Sequence, residues 1–131
     1  MKSFKNYFLI ILLAGVFFSC GDDDDSDSTC KQVNYIGTWV GPENCTVGAG
    51  NSSVTITIVA KGDDIELDGG AFETDVVSVD AQACTVEGSN STFGFSFEYT
   101  GSLDGDNLLL THRRIVAGVT GNVCTYTLER Q

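Results

Sequence analysis

Apolar and polar residues alternate in short separate runs, Gly, Asn, Asp and Ser fill the gaps between them, and the cysteines downstream of residue 29 number four. Together these features predict an all-β domain. The expected architecture is a small antiparallel meander of about seven or eight strands that closes into a barrel and is stapled by disulfides. Beyond the first twenty residues no window has helical periodicity of useful length.

The strands follow in chain order. Tyr35 to Val40 forms the first, and Val54, Ile56 and Ile58 share one face of the second, opposite Ser53, Thr55 and Thr57; β-branched residues suit a pleated surface. Ile65 and Leu67 repeat the alternation in the third. Val77 and Val79, then Cys84 and Val86, mark one or two more, and Phe93, Phe95, Phe97 and Tyr99 make an aromatic stripe at period two. Leu108 and Leu110 begin the next strand, and Cys124, Tyr126 and Leu128 share a face of the last. Lys61-Gly62-Asp63 and Asp104-Gly105-Asp106-Asn107 supply turn residues that join neighbours as hairpins. A meander that closes on itself loses its exposed edges.

The N-terminus is of another kind. Lys2 and Lys5 precede an apolar run from Tyr7 to Phe18, then Ser19 and Cys20, the order of a secretory signal. The run falls short of the roughly 20 apolar residues that a membrane span needs. Phe17-Phe18-Ser19-Cys20 resembles a bacterial lipobox, with Phe17 where Leu is commonest. The resemblance implies that residues 1–19 are a lipoprotein signal peptide and that Cys20 carries lipid. Residues 20–29, with Asp22 to Asp25 and Asp27, read as an acidic flexible leash whose charges repel one another. The tract resembles the export signal of surface-exposed Bacteroidota lipoproteins, which implies an outer-membrane, cell-surface location. Within the leash, Asp27-Ser28-Thr29 resembles the O-glycosylation acceptor of that group, making Ser28 a candidate glycosylation site.

Cleavage before Cys20 leaves 112 residues, of which 30–131 are enough for one domain with a modest core. The mature chain holds five basic residues against 18 acidic ones, a net charge of −13. Nucleic acid and anionic lipid surfaces are therefore expected to be repelled. In an oxidising compartment Cys30, Cys45, Cys84 and Cys124 are expected to form two disulfides. Their wide spacing and the single His112 do not suit a metal site, and no cofactor is expected. The first and last strands of a closed meander are antiparallel neighbours, so Cys45 is expected to pair with Cys124, and Cys30 with Cys84 by exclusion.

Gly37-Thr38-Trp39 resembles the G-x-W opening of lipocalins and avidin-like barrels, and the whole domain resembles the lipocalin-like domain of Bacteroidota lipoproteins. The resemblance implies that Trp39 closes the barrel floor and that an arginine, Arg113, Arg114 or Arg130, packs on its ring. The chain departs from true lipocalins in being shorter and in lacking both a T-D-Y motif and a helix after the barrel.

Trp39 and the stripe Phe93, Phe95, Phe97 and Tyr99 read first as core and second as the lining of a ligand pocket. Gly94 reads as relieving curvature on the opposite face or letting a neighbouring backbone approach. Asp63, Asp64, Glu66 and Asp68 read as a solvated turn, without the pattern of a calcium loop. His112, Arg113 and Arg114 form a basic cluster that reads as an exposed strand end, or as a grip for a carboxylate or glycan acid. No nucleophile stands in a catalytic frame with His112, so an enzyme is not expected. The expected function is that of a non-catalytic binding module for a small apolar ligand or glycan. The alternative is a structural or interaction protein, an accessory subunit or inhibitor that presents barrel loops to a protein partner. A hollow interior favours the first and a solid barrel with an exposed loop patch the second.

Overall fold

The computed structural model describes residues 30–48 and 52–131. The expected signal sequence, the expected lipidation site Cys20, the expected leash and the candidate glycosylation site Ser28 lie outside the described residues. A short helix α1 (Gln32–Tyr35) precedes eight strands: β1 (Gly37–Cys45), β2 (Ser52–Lys61), β3 (Asp64–Gly69), β4 (Phe72–Asp80), β5 (Thr85–Thr92), β6 (Phe95–Asp104), β7 (Asn107–Val116) and β8 (Val119–Arg130). Each pairs antiparallel with the next, and β8 returns to β1 to close the barrel. The expected meander is the observed one, and its strand number is eight.

Closure depends on close approach of the first and last strands. Trp39 pairs with Arg130 and Cys45 with Cys124, and the ladder lapses over Gly41 and Pro42. Proline has no N–H to donate there. A Cβ on Gly41 would stand 2.0 Å from the Thr127 carbonyl oxygen, so only glycine admits this contact.

Large side chains fill the interior, with Trp39, Tyr35, Tyr126, Phe72, Ile56, Ile58, Ile65, Leu67, Leu108, Leu110 and Leu128 all essentially without solvent contact. Eight strands enclose about the space that side chains can fill by themselves. The floor is the end where α1 lies. Gln32 Nε2 there donates 2.8 Å to the Gly62 carbonyl. Trp39 Nε1 donates 2.7 Å to the Tyr35 carbonyl, and the Arg130 guanidinium lies 4.4 Å from the Trp39 ring centroid. Arg130 also donates to the carbonyls of Ile36 (2.9 Å) and Asn34. Of the three candidate arginines, Arg130 is the one that seals the floor.

Both expected disulfides form, one at each end of the barrel. Cys30–Cys84 ties the start of the domain to the β4–β5 turn at the floor, with Cα atoms 4.9 Å apart. Cys45–Cys124 staples β1 to β8 at the mouth, with Cα atoms 4.0 Å apart.

Candidate functional site

The wall opens at one place. β4 and β5 pair only at Ser78–Glu87, Val79–Val86 and Asp80–Thr85, near the floor. Toward the mouth β5 stays paired with β6 up to Thr92–Phe95, while β4 stays with β3. A cleft of about 260 Å³ results, lined by Ala71, Glu73, Asp75, Asn90, Thr92, Phe97, Tyr99 and His112. A second groove adjoins it over Thr74, Val76 and Ser89.

A bulge in β4 adjoins the carboxylate of the cleft. Leu67 pairs with Asp75 but Asp68 pairs with Glu73, so Thr74 is the extra residue. It adopts φ 58°, a left-handed conformation that a β-branched side chain strongly disfavours. With the period of two broken, Phe72, Asp75 and Val77 all turn inward and are buried. Asp75 Oδ1 accepts 2.6 Å from the Tyr99 hydroxyl, and Oδ2 accepts 3.0 Å from the Glu73 amide. Burial of the phenol, reinforced by the Asp75 carboxylate, raises the Tyr99 pKa well above its ordinary range.

His112, on β7, follows Leu108 and Leu110 along the inner face and is 8% exposed. Its ring stacks on Phe97 at 5.4 Å, lies 5.3 Å from Tyr99 and meets Phe72 edge-on at 5.7 Å. Among the described residues no hydrogen-bond partner reaches the imidazole. Desolvation pushes its pKa down, against the opposing pull of Asp75 and Glu43, so a neutral imidazole faces the cleft at neutral pH.

Tyr126 supports the cleft from below. Its hydroxyl donates 2.7 Å to Glu43 Oε1 and accepts 3.1 Å from the Ala71 amide. Gly70 (φ 60°) brings the β3–β4 turn onto the Tyr126 ring, where a Cβ would come within 3.0 Å. Glu43 lies near the Cys45 and Cys124 sulfurs, but the disulfide occupies both, and disulfide sulfurs do not offer the thiolate that zinc requires.

The structure brings together two of the residues expected as ligand-lining, Phe97 and Tyr99, and disperses the others. Trp39 is sealed in the floor. Phe93 is no strand residue: with Gly94 it forms the β5–β6 turn at φ 44° and 83° and is 97% exposed. The Phe-Gly pair satisfies the positive φ of a two-residue hairpin loop, and that shortens the stripe to Phe95, Phe97 and Tyr99. Phe95 carries the Arg114 guanidinium 4.5 Å above its ring.

The basic cluster is also corrected. Alternation along β7 buries His112 and turns Arg113 outward to Glu98 at 3.4 Å, so the three side chains do not converge on one anion. The acidic residues around the β2–β3 turn behave as a solvated turn, with Lys61 paired to Glu66 at 2.9 Å. Asp75 was the residue missed, although it stands two before Val77 and four before Val79 on an otherwise apolar face. A carboxylate at that place in the alternation was the available signal. No protein-family model, no curated protein and no solved structure matches this chain.

Proposed function

We propose that the protein is a lipid-anchored lipoprotein, displayed on the outer membrane, that binds a terminal unit of a short glycan in the cleft between β4 and β5 and catalyses no reaction. The observation that carries this reading is the cleft itself. Its lining mixes polar groups, Asp75, Glu73, Asn90, Thr92 and His112, with the rings of Phe97 and Tyr99. A saccharide unit offers the same mixture, hydroxyls around its rim and C–H groups on its faces. The filled interior by itself weighs toward an interaction protein and leaves no space for an apolar ligand, since Trp39, Phe72 and Tyr126 occupy it; the cleft in the wall is what keeps a glycan as the reading. Titration of the purified protein with a panel of short oligosaccharides tests the reading. Binding that Phe97→Ala weakens about tenfold, with both disulfides intact, is the expected result. Absence of saturable binding across the panel removes the glycan.

A second reading rests on a separate observation. Phe93 at 97% exposure in the β5–β6 turn and Val119 at 68% at the start of β8 stand out at the same end of the barrel, and exposed apolar groups there suit an interaction protein that presents loops to a partner. Phe93→Ser separates the two readings. Under the second it abolishes crosslinking to a neighbouring surface protein on intact cells, whereas the glycan titration is unchanged under the first.

A further inference from the structure

From the balance of charge and hydrogen-bonding groups in the cleft we infer that its ligand carries an ammonium group, which places an amino sugar rather than a neutral sugar between Asp75 and the rings of Phe97 and Tyr99. The inference rests on the glycan reading and adds the charge of the ligand to it. Two carboxylates, Glu73 and Asp75, line the cleft, and no lysine or arginine does. The arginines on neighbouring positions are engaged elsewhere, Arg113 with Glu98 and Arg114 over Phe95.

The carboxylates alone would say little, because acidic groups are common on this chain. The independent observation is His112, more than nine-tenths buried, lining the cleft and without a hydrogen-bond partner among the described residues. Its ring nitrogens keep some solvent contact at the cleft, so a ligand atom placed there replaces water. A neutral imidazole can accept a hydrogen bond through one ring nitrogen, and an ammonium group offers three N–H donors and no acceptor. Asp75 is likewise buried, and an ionised carboxylate accepts more hydrogen bonds than the two that Tyr99 and the Glu73 amide give it. The partly buried Phe97 ring at the cleft adds attraction for a cation that a hydroxyl does not receive. The acidic domain as a whole draws cations toward the cleft.

The test is a titration of the purified protein at neutral pH with methyl glucosaminide, its N-acetyl counterpart, methyl glucoside and a linear alkyl diamine. The expected result is that the glucosaminide binds about tenfold more tightly than either neutral sugar. This preference weakens with added salt, and it disappears in Asp75→Asn, an isosteric variant whose intact disulfides and unfolding transition report the fold. Equal binding of all three sugars overturns the ammonium and leaves the glycan reading standing. Binding of the diamine alone, dependent on Asp75, supports the ammonium and overturns the glycan. Binding of none of the four overturns both.

Discussion

The Tyr99 hydroxyl donates a 2.6 Å hydrogen bond to Oδ1 of Asp75 inside the barrel wall, across the place where β4 and β5 part. Asp75 keeps the inward phase of Val77, and the bulge at Thr74 turns Phe72, three positions away, to the same inner face. The bond holds β4 to β6 where no backbone ladder does, so the cleft is bridged by side chains at its inner end and open at its outer end. Tyr99→Phe leaves Oδ1 buried without this partner and should cost about 1–3 kcal/mol. Denaturant unfolding of the two proteins measures it; a loss close to zero would mean that water takes over the bond.

Thr74 holds its conformation against its own preference. Strain of this kind costs on the order of 1–3 kcal/mol, and glycine adopts the same φ freely at an entropic cost of its own. Thr74→Gly should therefore raise stability slightly, by about 0.5–1 kcal/mol, and at the same time loosen the placement of Asp75 and weaken ligand binding. A variant that is less stable than the parent would show that the Thr74 hydroxyl, which donates 2.6 Å to the Glu73 carbonyl, outweighs the backbone strain.

The pH dependence of stability should carry the mark of His112. Asp75 from β4, Glu43 from β1 and the Tyr99 phenol from β6 face the imidazole, but desolvation outweighs the two carboxylates and lowers the pKa below its ordinary 6.5. Between the folded and unfolded values the unfolded chain binds the extra proton, so stability rises with pH through that interval. The stabilising contribution is present above pH 6.5 and is lost as pH falls through the folded value. His112→Phe keeps the ring packing and should flatten this part of the curve. Unfolding free energies over the acidic range, compared between the two proteins, check it, and an unchanged slope would assign the effect to other groups.

The Cys45–Cys124 staple closes the mouth between strands 79 residues apart in sequence. Replacing both cysteines by alanine should cost about 2–4 kcal/mol, mainly by freeing the unfolded chain. Peptide mapping of the unreduced protein should recover Cys45 with Cys124 and Cys30 with Cys84. Any other pairing would contradict the closure of β1 on β8.

What was legible beforehand was what depends on period and punctuation. The alternation along Val54, Ile56 and Ile58, or along Leu108 and Leu110, fixes which side of a strand is buried, and turn residues such as Gly62 and Gly105 fix its neighbours. Closure then follows, and with it the pairing of Cys45 and Cys124. The cleft was not legible because nothing in the alternation marks where the β4–β5 ladder stops. Asp75 itself keeps the period of Val77 and Val79, whereas the bulge at Thr74 breaks the period for Phe72 beside a Thr that looks like an ordinary strand residue. Phe93 failed for the opposite reason: it keeps the period of the stripe but sits before a glycine in a two-residue turn, where backbone conformation and not alternation decides. His112 was misread because the two arginines after it suggested an exposed strand end, although its place in the alternation after Leu110 puts it inside.

The anchor and the barrel make a joint prediction. Cys30 enters the domain at the floor, tied to Cys84, whereas the cleft opens toward the mouth at the other end. Under the proposed anchor, lipid on Cys20 would tether the domain through about ten residues, each spanning at most roughly 3.3–3.6 Å, so the floor would be the end nearer the membrane and the cleft the farther one. Cys20→Ala should abolish lipidation and leave the chain unprocessed, seen as loss of membrane partitioning and a larger mass. Replacing Asp22 to Asp25 by Asn should keep the lipid but turn the protein to the inner side of the outer membrane. Protease added to intact cells should then digest the parent and spare the variant. Equal digestion of both would reduce the acidic tract to a spacer, and normal partitioning of the Cys20→Ala protein would remove the lipid anchor and with it the orientation of the cleft.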